Sequence, residues 1–154
     1  MIIRFTNKIT DHFAREEYYT GHKRGDGFIR IYSGSLKLAL IMEMFRREIG
    51  GKPIVVFSWF RTKKMNERAG GISGSNHLKG EAMDFRISGE EITKANFIKN
   101  AKIYRKCCQY YGEIGEVGLY NGWYHFGLDR VQGRFFHWDS RSGKQINMPF
   151  DELK

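Results

Sequence analysis

With 154 residues, 41% of them hydrophobic and 28% charged, the chain can bury a core without staples and is expected to form a single domain over residues 1–154. Two prolines argue against a disordered linker, the adjacent Cys107 and Cys108 against a disulfide framework, and the absence of any apolar run near ~20 residues against a helical membrane span. The formal charge of +9 implies an anionic environment or partner, yet the basic residues are scattered, without the gathered basic and aromatic cluster that a nucleic-acid surface needs.

In chain order, Thr10 or Asp11 is expected to cap a short helix running to Glu17. Residues 20–35, rich in glycine and charge, predict a loop with one short extended piece at 28–31. Ser35 then opens a helix in which Leu38, Ile41, Phe45 and Ile49 recur at three- and four-residue steps, with Gly50 and Gly51 as the stop. After Pro53, residues 54–58 are short, β-branched and apolar, the pattern of a buried strand. Residues 61–75 read as a long loop, a length that in a small domain suggests function.

Residues 82–87 predict a second strand, with Met83, Phe85 and Ile87 on one face and Ala82, Asp84 and Arg86 on the other. Ser88 and Glu91 have the spacing of a capping box for a helix whose apolar face is Phe97, Ala101, Tyr104, Cys108 and Tyr111. Cys108 is therefore expected in the core. Asn121-Gly122 between residues 117–120 and 123–126 predicts a hairpin with a type I′ turn, and a last strand is expected at 134–138. The fold class is α+β: a small, largely antiparallel sheet with helices packed on one side.

His77 and Asp84 share one segment, and His125 comes from a distant one. Two imidazoles and one carboxylate make a three-ligand set that leaves the fourth tetrahedral corner of Zn2+ open to water, as catalytic zinc requires. The hairpin register pairs Tyr120 with Trp123, Gly118 with His125 and Glu116 with Gly127. Glu116 then lies on the His125 face at a Cβ separation of about 7 Å, and is expected to be the general base and acid. Glycines 118 and 127 would leave room for metal, water and substrate. Asp129 shares the face but lies roughly 13 Å along the strand from His125. Glu113 and Asp139 remain alternatives. Arg61, near the end of the first strand, suits stabilisation of an oxyanion or binding of a carboxylate. Tyr120 and Trp123 could wall the cleft.

These residues resemble a family pattern. Ser58-Trp59-Phe60-Arg61, a glycine-rich stretch to Gly74, Ser75-Asn76-His77-Leu78-Lys79-Gly80-Glu81-Ala82-Met83-Asp84 and Trp123-Tyr124-His125 look like the zinc D-alanyl-D-alanine peptidases and their relatives among bacteriophage endolysins. The likeness covers most of residues 5–130. It implies a hedgehog/DD-peptidase-like fold, zinc on His77, Asp84 and His125, and Arg61 and Ser75 in contact with substrate or intermediate. It also implies hydrolysis of peptidoglycan stem or cross-link peptides, with the basic surface suiting an anionic cell wall. The N-terminus lacks the apolar core of a signal peptide, so a monomer in the host cytoplasm before lysis, or associated with a virion, is expected.

Two features depart from the pattern. Many members carry a carboxylate three residues before or two residues after the last histidine, where this chain has Gly122 and Gly127. His137-Trp138-Asp139 imitates the same ending, so His137 is an alternative third ligand. The glycines also keep open a second reading, a catalytically weak or inactive cell-wall-binding or virion module.

Overall fold

The computed structural model describes residues 7–129 and 135–148. Its helices are α1 (Arg15–Tyr18), α2 (Ser33–Glu48), α3 (Lys63–Arg68) and α4 (Lys94–Tyr110), with a 3-10 turn at Asn76–Lys79. Its strands are β1 (Ile54–Ser58), β2 (Ala82–Ile87), β3 (Gly115–Tyr120), β4 (Trp123–Leu128), β5 (Phe136–Asp139) and β6 (Ile146–Asn147). They form one mixed sheet in the order β1-β2-β4-β3-β5-β6, antiparallel except where β5 runs parallel to β3. The class is α+β.

Alternation along the strands separates two functions onto two faces. Met83, Phe85 and Ile87 of β2, Val117 and Leu119 of β3, and Tyr124, Phe126 and Leu128 of β4 are buried against the helices. Leu38, Ile41, Met42 and Phe45 of α2 and Phe97, Ala101, Tyr104 and Cys108 of α4 complete that core. Phe45 meets the rings of Phe85, Tyr104 and Phe126 edge-on at 6.2, 6.1 and 5.4 Å, the offset geometry that aromatic quadrupoles favour. The opposite face carries Asp84, Glu116, Gly118, Tyr120, His125 and Gly127.

Several local expectations give way to competing hydrogen bonds. Thr10 does not cap α1: its hydroxyl donates to Glu43 at 2.7 Å, and the helix begins only after Ala14. Helix α2 starts at Ser33, ahead of Ser35, whose hydroxyl instead accepts from the Tyr32 amide at 3.1 Å. No strand forms at residues 28–31. Ser88 and Glu91 do not cap α4; Thr93 does, accepting from the Asn96 amide at 3.1 Å. Within the expected loop, residues 63–68 form α3, capped by Thr62 accepting from the Met65 amide at 3.3 Å.

The hairpin register is as expected from the sequence, with Tyr120 opposite Trp123 and Gly118 opposite His125. Its turn is different. Gly122 takes φ +92° while Asn121 keeps a negative φ, the sign pattern of a type II rather than a type I′ turn. The Asn121 amide is drawn aside to donate to the Arg141 carbonyl at 2.9 Å. The last strand, expected at 134–138, appears as β5 over Phe136–Asp139, and Arg134 lies outside the described residues.

Candidate active site

The three candidate ligands arrive from two strands and the turn that feeds one of them. Asp84 and His125 are direct cross-strand partners in the β2–β4 pair. His77 sits in the 3-10 turn just before β2, where Ser75 accepts from the His77 amide at 3.4 Å. Gly80 ends that turn at φ +63°, and an added Cβ there would lie 2.5 Å from the Tyr18 hydroxyl oxygen, so only glycine fits. The Trp59 indole donates to the Gly80 carbonyl at 2.8 Å and the Arg61 amide donates to the His77 carbonyl at 2.9 Å, which fastens the turn to the end of β1.

The inner atoms converge. Asp84 Oδ1 lies 3.2 Å from His77 Nε2 and 2.8 Å from His125 Nδ1. One ligand atom from each of the three residues falls within 4.8 Å of the others. The outer atoms are each held separately. His77 Nδ1 donates to the Trp59 carbonyl at 2.6 Å, Arg61 Nη2 donates to Asp84 Oδ2 at 2.6 Å, and His125 Nε2 faces Glu116 Oε1 at 3.0 Å. Arg61 is itself steered by Nε donating to Ser58 Oγ at 2.8 Å.

Counting protons tests whether this group fits a cation. A carbonyl only accepts, so Nδ1 of His77 carries the proton and the Nε2 lone pair of the neutral ring faces a carboxylate oxygen. Both nitrogens of His125 face carboxylates, and a neutral imidazole has one proton to share between them. Burial pushes the His77 pKa down, against the pull of Asp84, which disfavours imidazolium there. Burial also opposes charge on His125, but hydrogen bonds to Asp84 and Glu116 prevail and raise its pKa to about 9. Burial raises Asp84 and Glu116, yet the histidines around them outweigh it and hold each below its own ordinary value. Without a metal, a proton on His125 Nδ1 fills the corner beside Asp84 Oδ1, 2.8 Å away, and balances its charge. A divalent cation held by His77 Nε2, Asp84 Oδ1 and His125 Nδ1 would take the place of that proton, and two imidazole nitrogens with one carboxylate are a donor set that fits zinc.

The remaining candidates divide. Tyr120 and Trp123 stack at 5.0 Å and 7°, with Tyr120 6.4 Å from the His125 ring. Trp138, which sequence reasoning did not select, lies 5.2 Å from His125 and donates from Nε1 to the Tyr120 hydroxyl at 3.2 Å. The expected free space beside the glycines is occupied: a Cβ at Gly118 would stand 2.5 Å from the Trp138 ring, and one at Gly127 would stand 3.0 Å from Glu116 Oε1. Glu113 pairs with Lys37 at 2.7 Å and Asp139 with Arg141 at 2.8 Å. Asp129 lies beyond β4, its amide donating to the Ile114 carbonyl at 2.8 Å. His137 and Asp139 align with Val117 and Leu119, so alternation turns them to the helix side of the sheet, and His137 is not part of the three-residue cluster.

The sequence profile of the peptidase M15 family matches residues 11–125, well over half of the chain and up to His125 itself. The chain belongs to the peptidase M15 family. None of the curated proteins compared with it matches. The mixed six-stranded α+β architecture agrees with an M15 peptidase, a metal-dependent family, and the His77–Asp84–His125 group can hold the metal. Among the described residues no helix is long and apolar enough to cross a membrane.

Proposed function

We propose that the protein is a zinc-dependent peptidase that hydrolyses peptidoglycan stem or cross-link peptides, with His77, Asp84 and His125 as the metal ligands. The observation that carries this reading is the double arrangement of the ligands: three inner atoms converge while each outer atom has its own partner. Zinc bound there would polarise the scissile carbonyl and lower the pKa of its water toward ~7. Arg61 spends Nη2 and Nε on Asp84 and Ser58, and its Nη1 is offered to the carbonyl oxygen or to a terminal carboxylate of the substrate. Tyr120, Trp123 and Trp138 wall the cleft beside His125, and Ser75, at the start of the 3-10 turn, contacts the peptide.

The charge of +9 favours an anionic wall as the surface on which the protein accumulates. The proposed setting is phage-associated lysis, with the monomer reaching the wall from the host cytoplasm or from a virion. A second reading, a wall-binding module without turnover, is favoured by one contact: Glu116, the carboxylate expected to act as base, is engaged with His125.

Purified protein incubated with cell walls decides between them. New peptide ends, detected by mass spectrometry, are expected with zinc, lost on chelation and restored by zinc. Metal-independent release, or no release under any condition, overturns the peptidase; retention on walls without new ends selects the binding module. Metal analysis accompanies it: wild type and His137→Ala are expected to keep zinc, and His77→Ala and His125→Ala to lose it.

A further inference from the structure

The β3–β4 register sets Glu116 directly opposite Gly127 and diagonal to His125. From there its carboxylate meets His125 at Nε2, 3.0 Å away, while Nδ1 on the other edge of the ring faces Asp84 at 2.8 Å. The nitrogens of an imidazole direct their in-plane bonds away from each other. A carboxylate on Nε2 is therefore separated by the whole ring from the corner where Nδ1, Asp84 Oδ1 and His77 Nε2 meet. Position 127 makes room for this contact, since a Cβ there would stand 3.0 Å from Glu116 Oε1 and 2.8 Å from the Glu81 carbonyl. Asn76 hydrogen-bonds the same carboxylate, and Trp138 packs 5.2 Å from the His125 ring.

We propose that Glu116 is a positioning residue acting through His125: it accepts the Nε2 proton, fixes the tautomer that presents Nδ1 as a metal ligand, and does not carry the proton of the attacking water. The proposal rests on the metal-site reading above and replaces the base role expected from the sequence. Carboxylate partners of this kind orient a ligating histidine, and their loss weakens metal binding by about 10–100-fold. Gly127 is then the companion of Glu116: the space that a side chain at 127 would fill belongs to the carboxylate from the neighbouring strand.

The test is zinc affinity of the full chain, by competition with a chromophoric chelator, together with the visible spectrum of the Co2+-substituted protein. Glu116→Ala is expected to weaken zinc by about 10–100-fold and to alter the Co2+ bands. Glu116→Gln, which still accepts the Nε2 proton, is expected to restore the wild-type bands and part of the affinity. Unchanged affinity and spectrum in both variants, with activity lost in Glu116→Gln, would make Glu116 a base and overturn the proposal. A drop in the melting temperature of the metal-free Glu116→Ala protein with unchanged zinc affinity would reduce the contact to a structural ion pair and overturn it equally. If instead wild type binds no zinc and His77→Ala changes nothing, the metal-site reading itself has failed.

Discussion

At the scale of single residues, the site depends on atoms rather than on residue types. Arg61 takes one oxygen of Asp84 and leaves the other between two histidines, so the carboxylate cannot rotate without breaking a charge-assisted bond. Gly118 illustrates how little slack there is. Its sequence context, directly across from His125, suggests room for substrate, whereas the Trp138 ring fills that room. Gly118→Ala is expected to force Trp138 aside, breaking its bond to Tyr120 and costing about 1–3 kcal/mol as overpacking does. Urea titration measures the loss, and tryptophan fluorescence should report the displaced ring. An unchanged midpoint and emission would show that Trp138 is not held there.

At the scale of elements, strands and long helices follow their periodicity, and short elements follow their caps. Helix α3 has six residues, too few for an apolar period to register, and is marked chiefly by Thr62 at its N-terminus. The N-terminal segment is fastened by a different device. Glu43 of α2 accepts from the Thr10 hydroxyl at 2.7 Å and the His12 amide at 2.6 Å, and pairs with the His12 ring at 2.7 Å. Burial raises the Glu43 pKa, but these partners together outweigh burial and hold it below its ordinary value of 4.5. A carboxylate depressed in the folded state stabilises above its unfolded pKa, and that contribution fades as pH falls through the folded value. Glu43→Gln should therefore be less stable than wild type near neutral pH, with the gap closing on acidification below about 4.5. Thermal melts across that range measure it; a gap independent of pH would refute the assignment.

At the scale of the whole molecule, one sheet serves two masters, a helix-covered core on one face and the cluster on the other. Phe45 touches three aromatic rings of the core and none of the candidate ligands. Phe45→Ala is expected to cost about 3–5 kcal/mol by denaturant titration while the folded protein keeps near wild-type zinc affinity. His77→Ala should do the reverse, losing zinc with a smaller change in the metal-free stability. Equal effects of both variants on both quantities would mean that the two faces are not separable.

What could be read in advance follows from consecutive residues. Alternation in β2 put Asp84 on the face away from Met83 and Phe85, and Asn121-Gly122 set a register that aligned Gly118 with His125, because side-chain direction in a strand depends only on counting by two. The same counting brought Glu116 onto the His125 face. It could not say that the carboxylate would bond the ring nitrogen turned away from Asp84, that β5 would run parallel beside β3 and lay Trp138 over Gly118, or that the Trp59 carbonyl would set the tautomer of His77. Those outcomes join segments far apart in the chain, and each is chosen by which donors, acceptors and volumes meet once the core has closed.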